Sequence, residues 1–220
     1  ADPSGGFSIV TWTGAAGAWG TLGTVGHGLS AAPTVILAKT RGTGEWNCFF
    51  SSYDEASIGG SNAASNKLQL NVDDALYTNQ SYADFGKVMP TSTVFTVNGN
   101  LINNSGTTVV AYCFTNIEGY IKSGTYVGNA NDNGVFVYTG FKPSFFMCKP
   151  VVTGNWRIQD NKRTPLNVAD KTLFPKRDDG TLSNDSNDID IVSNGVKMRA
   201  SDSDYNQATT FIYLALAENP

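Results

Sequence analysis

Short runs of β-branched and aromatic residues, bounded by glycine, asparagine, aspartate, serine or proline, dominate the pattern of apolar and polar positions along this chain. Such runs are typical of β-strands, and an amphipathic helical pattern never extends beyond about two turns. The pattern predicts strands at residues 8–13, 34–39, 47–51, 67–72, 94–97, 109–114, 134–138, 145–149, 156–159, 188–192, 196–199 and 210–217. Residues 165–173 have room for one short helix. The sequence therefore predicts an all-β fold.

Two local patterns add detail to the predicted strands. Residues 67–72 alternate strictly between polar and apolar side chains, which predicts a half-buried strand with Leu68, Leu70 and Val72 directed inward. The dipeptides Asn98-Gly99 and Asn194-Gly195 predict hairpin turns, because both central residues of a type I′ turn need positive φ.

The same pattern occurs twice, with an offset of half the chain. Residues 33–46 and 143–156 align without a gap, and the offset of 143 − 33 = 110 residues is half of the 220 in the sequence. Identical residues meet at the aligned positions Pro33, Lys39, Thr43, Gly44 and Trp46 against Pro143, Lys149, Thr153, Gly154 and Trp156. A period this long indicates duplication of a whole domain, since solenoid repeats span about 20–50 residues.

We expect two tandem, duplicated β-sandwich-like domains of about 110 residues each, at residues 6–118 and 119–220. Residues 1–5 are interpreted as vector-derived. The aligned residues are expected at equivalent positions of the two domains. Trp46 and Trp156 are expected in the core, so truncating either to alanine would cost about 3–5 kcal/mol.

Composition and charge narrow the class of protein. Apolar residues make up 40% and charged residues 15%, below the usual charged share of about 25%. The net charge of −4 excludes a global basic surface for nucleic acid, and no apolar run is long enough to predict membrane insertion. Cys48, Cys113 and Cys148 form no C-x-x-C pair and each lies in an apolar run. They are predicted to be buried free thiols, with a single disulfide as the alternative.

Few residues point to catalysis. His27 is the single histidine, and no serine has a G-x-S-x-G context. We interpret His27 as a turn or surface residue, with ligand contact as the alternative. Adjacent carboxylates such as Asp54-Glu55 and Asp73-Asp74 point apart on an extended chain, so they make a poor pair for glycoside hydrolysis. We expect that the chain is not an enzyme and cleaves neither polysaccharides nor esters.

An acidic segment leaves two interpretations open. Residues 178–190 are rich in aspartate, and residues 202–206 read D-x-D-x-N, the opening half of a calcium-binding loop. The glycine at the sixth position and the closing glutamate of an EF-hand are missing. One interpretation is a flexible acidic loop with no cofactor, and the other is a single Ca²⁺ site. The candidate ligands of that ion are Asp185, Asp188, Asp202 and Asp204.

Aromatic residues on polar loops are the clearest sign of a ligand. Trp12 and Trp19 flank a Gly/Ala-rich loop, while Tyr53 and Tyr82 lie among serine, asparagine, aspartate and glutamine. Aromatic faces suit the C–H faces of sugar rings, whose hydroxyl groups need amide and carboxylate partners. The candidate ligand-binding residues are Trp12, Trp19, Tyr53 and Tyr82 for stacking and Asp54 and Asn62 for hydroxyl groups.

Eight segments carry a resemblance to a known family: residues 7–14, 25–29, 32–39, 111–114, 137–143, 163–167, 190–195 and 217–220. They resemble a repeat found in tail-fibre and other virion proteins of marine bacteriophages. The resemblance covers nearly all of residues 6–220 and carries no catalytic residues with it. It implies an adhesin or fibre protein on the virion, or otherwise extracellular, with host-surface carbohydrate as the ligand. The loops at 14–20 and 53–66 depart from the repeat, and variable loops commonly determine the choice of partner.

Two functional hypotheses of different classes follow. The first is a non-enzymatic phage tail-fibre or receptor-binding segment that recognises a host surface glycan through loops. The alternative is a purely structural virion spacer or decoration domain, and a polysaccharide depolymerase or esterase ranks third. The expected partners are a host cell-surface glycan or receptor and, in a fibre, further copies of the chain as a homotrimer.

Overall fold

The chain folds almost entirely as β-structure. The computed structural model describes residues 1–15, 20–52, 63–78, 80, 83–99, 102–176, 181–183, 188–201 and 204–218. The regular elements in these ranges are β-strands and a short 3₁₀ helix, Ala63–Ser65. The prediction of an all-β fold is therefore confirmed. No helix in the same ranges is long and apolar enough to cross a membrane.

Two compact units make up the chain. The first unit comprises residues 1–70 and 76–116, and the second unit comprises residues 71–75 and 117–220. Each unit contains one larger and one smaller antiparallel sheet.

The first unit has a larger sheet in which buried residues alternate with more exposed ones along one of its strands. The strands of this unit are β1 (Phe7–Thr13), β2 (Leu22–Gly26), β3 (Val35–Thr40), β4 (Trp46–Phe50), β5 (Leu68–Gln69), β6 (Val94–Asn98) and β7 (Thr108–Phe114). The larger sheet has the order β1-β7-β3-β4-β5, and β2 pairs with β6. Val109, Ala111 and Cys113 of β7 are buried in alternation, as the period of two in a strand requires.

The second unit is built in the same way. Its strands are β8 (Ile121–Val127), β9 (Phe136–Tyr138), β10 (Phe145–Pro150), β11 (Arg157–Asp160), β12 (Lys171–Leu173), β13 (Thr181–Ser183), β14 (Ile189–Val192), β15 (Gly195–Met198) and β16 (Thr210–Leu216). The larger sheet has the order β13-β12-β11-β10-β16-β8, and the smaller sheet has the order β14-β15-β9. The core combines Phe146 and Tyr213 of the larger sheet with Val137, Ile189 and Val196 of the smaller one.

The two units share strand order and register. The order β1-β7-β3-β4 in the first unit corresponds to β8-β16-β10-β11 in the second. The first residues of β1 and β3 both pair with the last residue of β7, and the first residues of β8 and β10 both pair with the last residue of β16. Lys39 and Lys149 are the fifth residues of β3 and β10. An origin of these common features by duplication stays a prediction.

The two aligned tryptophans differ in burial. Trp156 is 1% exposed. Trp46 is only half-buried and stacks on Tyr112, with ring centroids 5.9 Å apart. Both rings therefore lie mostly out of water, as predicted, but Trp46 is buried less completely than Trp156.

The hairpin predicted at Asn98-Gly99 is wrong, and the one predicted at Asn194-Gly195 is present with its turn displaced by one residue. β14 and β15 do form a hairpin, but its loop is Ser193-Asn194, and Gly195 begins β15 opposite Val192. A Cβ atom on Gly195 would lie 2.2 Å from the carbonyl oxygen of a residue on β9, so close approach rather than positive φ requires glycine. β6 ends at Asn98 and pairs with β2, which precedes it in the chain.

Two further local predictions are also wrong. The strand predicted at 67–72 ends at Gln69, and although Leu68 is buried, Leu70 and Val72 are only half-buried. The short helix considered for 165–173 is absent, because Ala169 bridges to Ile189 and the chain continues as β12. In both segments, strand pairing determines the backbone conformation more strongly than local sequence pattern does.

Candidate functional site

One of the six predicted ligand-binding residues can be located. Trp12 lies on β1, the edge strand of the larger sheet in the first unit. The other five candidates, Trp19, Tyr53, Asp54, Asn62 and Tyr82, lie outside the described residues. Their assignment to a site therefore stays a prediction. Trp12 is the candidate whose surroundings the structure shows.

The indole of Trp12 has both a structural contact and a free surface. Its Nε1 atom donates a hydrogen bond to the carbonyl oxygen of Ile102 (2.8 Å), and its ring packs edge-on against Phe95 at 5.8 Å. Tyr126, at the same position of β8, donates from its hydroxyl to the carbonyl oxygen of Tyr205 (2.8 Å). The two units thus use an aromatic donor at this position to hold the loop before β7 or β16. The ring of Trp12 is only partly buried, so one surface remains available.

A pocket of about 220 Å³ lies against the ring of Trp12. We call it the Trp12 pocket. Its other lining residues are Thr13, Ala15, Thr21, Leu22, Gly23, Thr24, Val25, Val97 and Asn103. The lining therefore combines one aromatic ring, aliphatic side chains, threonine hydroxyls and one amide, and it includes no ionisable side chain.

Glycine at two positions makes this arrangement possible. A Cβ atom on Gly14 would lie 2.1 Å from the carbonyl oxygen of Asn104, so only glycine lets the end of β1 approach this loop. A Cβ atom on Gly23 would lie 3.1 Å from Nδ2 of Asn103. The Oδ1 atom of Asn103 accepts a hydrogen bond from the backbone of Ala15 (3.3 Å), which fixes the amide at the pocket wall.

Two more pockets adjoin the first along the same unit. The middle one, about 280 Å³, is called the Arg41 pocket and is lined by Thr11, Trp12, Thr13, Arg41, Thr108 and Val109. The next, about 410 Å³, is called the Glu45 pocket and is lined by Thr40, Gly42, Thr43, Gly44, Glu45, Asn104, Gly106, Thr107 and Thr108. These two pockets add the charged side chains of Arg41 and Glu45, and the Lys39 ammonium donates to the carbonyl oxygens of two wall residues, Thr40 and Gly42.

A buried polar network in the second unit surrounds Arg157. Its guanidinium forms an ion pair with Asp204 (3.0 Å) and lies over the rings of Tyr205 and Phe174, 4.5 and 4.9 Å from their centroids. The carboxylate of Asp204 also accepts hydrogen bonds from the backbone and side-chain nitrogens of Asn155, both at 2.9 Å. Both carboxylate oxygens of Asp204 are therefore engaged by donors within the protein.

The hydroxyl of Tyr205 extends this network. It donates to Oε1 of Gln159 (2.5 Å) and lies 2.9 Å from Oγ1 of Thr172. Burial raises the pKa of Tyr205, and the nearby Arg157 charge opposes that shift in part. The phenol is thus neutral near physiological pH, and its role here is to connect β11 with β12.

The calcium hypothesis rests on residues that are only partly described. Asp185 and Asp202 lie outside the described residues, Asp188 is half-buried, and Asp204 is engaged as above. Within the part of the chain that the structure describes, no group of three histidine, cysteine, aspartate or glutamate side chains is placed to hold a metal ion. A Ca²⁺ site in this segment stays a prediction.

His27 is a structural residue of the core. The prediction of a surface position is wrong, since the side chain is 0% exposed, although His27 does lie in the loop that follows β2. Its Nδ1 atom accepts a hydrogen bond from the backbone N–H of Leu29 (3.1 Å). The carbonyl oxygen of Thr91 can only accept, so Nε2 carries the proton and donates to it (3.1 Å). This tautomer ties the loop after β2 to the segment before β6.

The cysteines are as predicted. Cys48, Cys113 and Cys148 are buried free thiols. Burial raises the pKa of the Cys113 thiol to about 12, so the reactive thiolate is not formed near neutral pH.

Asp84 is a buried carboxyl group that lines none of the three pockets. It is 3% exposed, its Oδ1 atom has no hydrogen-bond partner, and burial raises its pKa to about 6 while the Lys67 charge opposes this. The ordinary pKa of aspartate is about 3.9, so as the pH rises the unfolded chain loses the Asp84 proton before the folded protein does. The stability that the protonated carboxyl group contributes is therefore lost as the pH rises from about 4 through about 6. We expect Asp84→Asn to raise the free energy of unfolding above that pH by about 2–3 kcal/mol.

The measurement is urea unfolding of wild type and Asp84→Asn across this pH range. The difference between the two free energies of unfolding reports on Asp84 alone, because the other carboxyl groups titrate in both proteins. A difference that does not change with pH would show that the carboxyl group is not protonated in the folded state.

The comparisons with known proteins give a family but no activity. The model of a family described as a domain of unknown function, DUF7483, matches residues 1–220 of the chain. The chain belongs to this family. No curated protein and no solved structure matches it. The description of DUF7483 mentions no ligand or reaction. The geometry of the pockets therefore carries the evidence for what this chain does.

Proposed function

We propose that this chain is a non-enzymatic receptor-binding segment, of the kind found in phage tail fibres, that binds a host surface glycan. The observation that carries the proposal is the lining of the Trp12 pocket. A partly exposed indole stands beside threonine hydroxyls and the amide of Asn103, and none of the lining residues is ionisable. This combination suits a neutral sugar ring, because its C–H face packs on an aromatic ring while its hydroxyl groups exchange hydrogen bonds with the amide and the threonine hydroxyls.

The size of the pocket supports a single sugar ring as its occupant. Its volume of about 220 Å³ is below the roughly 300–1,000 Å³ of typical small-molecule sites. One ring buries little apolar area, so the affinity of each site is expected to be weak. A fibre with several copies of the chain would reach useful avidity through multivalency.

The structural alternative draws on a different observation. Phe136 and Tyr138 of β9, an edge strand of the smaller sheet in the second unit, are 45% and 63% exposed. Exposed aromatic residues on an edge strand favour contact with another protein surface, as a virion spacer or decoration domain requires.

The test obstructs the Trp12 pocket without disturbing the fold. Thr24 is exposed on β2, and Thr24→Met places a longer, uncharged side chain in the pocket mouth. We expect binding to host cells and to a glycan array to fall at least about tenfold. Thr125→Met is the matched control, because Thr125 is an exposed strand threonine of the second unit that lines none of the three pockets.

A second pair of variants tests the indole itself. Trp12→Phe and Tyr126→Phe each remove one hydrogen bond to a loop carbonyl, but Tyr126, unlike Trp12, lines none of the three pockets described above. Weaker binding by Trp12→Phe alone supports the proposal, with unchanged thermal stability as the check on folding. Wild-type binding by both pocket variants would reject it in favour of the spacer alternative. Release of reducing ends from the bound glycans would instead show an enzyme.

A further inference from the structure

We propose that the Trp12, Arg41 and Glu45 pockets form one groove that binds an oligosaccharide with an anionic sugar residue, a uronate or a sulfated sugar, beside Arg41. This inference rests on the proposed function, because it needs the Trp12 pocket to hold a neutral sugar ring. It adds the length of the bound glycan and the order of its charges.

Shared lining residues show that the three pockets are neighbours, and the proposed groove joins them. Trp12 and Thr13 line both the Trp12 pocket and the Arg41 pocket, and Thr108 lines both the Arg41 pocket and the Glu45 pocket. The Arg41 pocket is therefore the middle one, and all three belong to the first unit. A ligand that extends from Trp12 past Arg41 thus occupies at least three adjoining subsites.

Arg41 gives the middle subsite its charge. Its backbone N–H donates to the carbonyl oxygen of Thr108 (2.8 Å), which fixes the residue at the end of β3. The side chain is exposed, and among the described residues no hydrogen bond or ion pair engages its guanidinium. The whole chain carries a net charge of −4, so this cation is not part of a general basic surface. A guanidinium can bind a carboxylate or a sulfate through two parallel hydrogen bonds.

The Glu45 pocket determines what can follow the anionic residue. Its wall consists of threonines, glycines and one amide together with the carboxylate of Glu45. The Lys39 ammonium donates to the carbonyl oxygens of Thr40 and Gly42 in this wall, so the pocket holds charges of both signs and offers no net positive charge to a second anion. A neutral sugar with an amide or hydroxyl groups would find hydrogen-bond partners there. The groove therefore favours glycans in which charged and neutral residues alternate over glycans that are charged at every residue.

The test measures binding of matched oligosaccharides by calorimetry. One pair is hyaluronan hexasaccharide, with alternating uronate and neutral residues, and the same compound with its carboxyl groups reduced to alcohols. A second pair is a keratan sulfate oligosaccharide and its desulfated form, which distinguishes sulfate from carboxylate as the anion. Tetragalacturonate, charged at every residue, is the fifth ligand.

We expect one alternating anionic ligand to bind at least about tenfold more tightly than its neutral partner and than tetragalacturonate. Arg41→Gln is expected to remove that preference, and Arg41→Lys to restore part of it. The preference should also weaken at high ionic strength, because the ion pair is exposed. Lys122→Gln is the charge-matched control, since Lys122 is exposed on β8 and lines none of the three pockets.

The possible failures separate this inference from the proposed function. Equal binding of neutral and anionic partners, unchanged in Arg41→Gln, would overturn the charged groove and leave the Trp12 pocket as a sugar site. Tighter binding of tetragalacturonate would overturn the alternation of charges. No binding of any of the five ligands, and none on the glycan array, would reject both proposals.

Discussion

Replacement of Asp204 by alanine is expected to destabilise the second unit by about 3–5 kcal/mol. Asp204 is 7% exposed and Arg157 is 5% exposed, and their side chains form an ion pair at 3.0 Å. Without Asp204 the guanidinium would lose this carboxylate while remaining buried, and the removal of one partner from a buried ion pair is costly. The backbone N–H of Asn155 would lose its acceptor as well.

The measurement is equilibrium unfolding in urea, with two comparisons. Arg157→Met combined with Asp204→Leu removes both charges and is expected to recover much of the loss, because an apolar pair of similar volume has no desolvation cost. Glu218→Ala breaks the exposed pair with Lys162 and should change stability by less than about 1 kcal/mol. A loss of that small size in Asp204→Ala would show that the Arg157 charge is not buried in solution.

Sequence reasoning identified most strands because their side chains are apolar on at least one face. The strands that it missed, β2, β8, β12 and β13, are rich in glycine, threonine, serine or lysine. β8 shows the reason most clearly. It lies at the edge of its sheet and pairs only with β16, so few of its side chains face the core. Its Gly124 faces Tyr213, whose ring would be 3.1 Å from a Cβ atom, so a larger residue would be crowded there.

The site was harder to predict than the strands. Trp12 could be chosen from sequence because an aromatic residue beside a Gly/Ala-rich loop is unusual. Arg41, Asn103 and Thr108 could not, because they are brought to Trp12 by the pairing of β1 with β7 and of β7 with β3. One local signal was present in the sequence: a glycine follows the first strand of each unit. In the first unit it is Gly14, where the backbone closely approaches a loop carbonyl oxygen.

Equivalent sequence positions need not have equivalent environments. Lys149 is 0% exposed and donates to the carbonyl oxygen of Asp73 at 3.4 Å. Lys39 is half-buried and donates to the carbonyl oxygens of Thr40 and Gly42, both at 2.8 Å. The aligned tryptophans differ in the same direction, since Trp156 is buried more deeply than Trp46. The repeat in the sequence therefore predicts strand position better than it predicts burial.

This difference gives a prediction with an internal control. Trp156→Ala is expected to lower the free energy of unfolding by about 3–5 kcal/mol, because it removes the largest side chain that is fully buried. Trp46→Ala is expected to cost less, about 1–2 kcal/mol, since its ring is only partly buried and stacks on Tyr112 near the sheet surface. Sequence alignment alone predicted the same cost for both.

Urea unfolding of the two single variants, followed by circular dichroism rather than tryptophan fluorescence, distinguishes the two expectations. If the units unfold separately, the loss in each variant should appear in the transition of its own unit. Equal losses above about 3 kcal/mol would mean that Trp46 is buried in solution as the alignment predicted. A loss below about 1 kcal/mol in Trp156→Ala, which is the range of surface substitutions, would place its ring outside the core. The expected order follows from burial, because the cost of truncation increases with the area that the wild-type side chain removes from water.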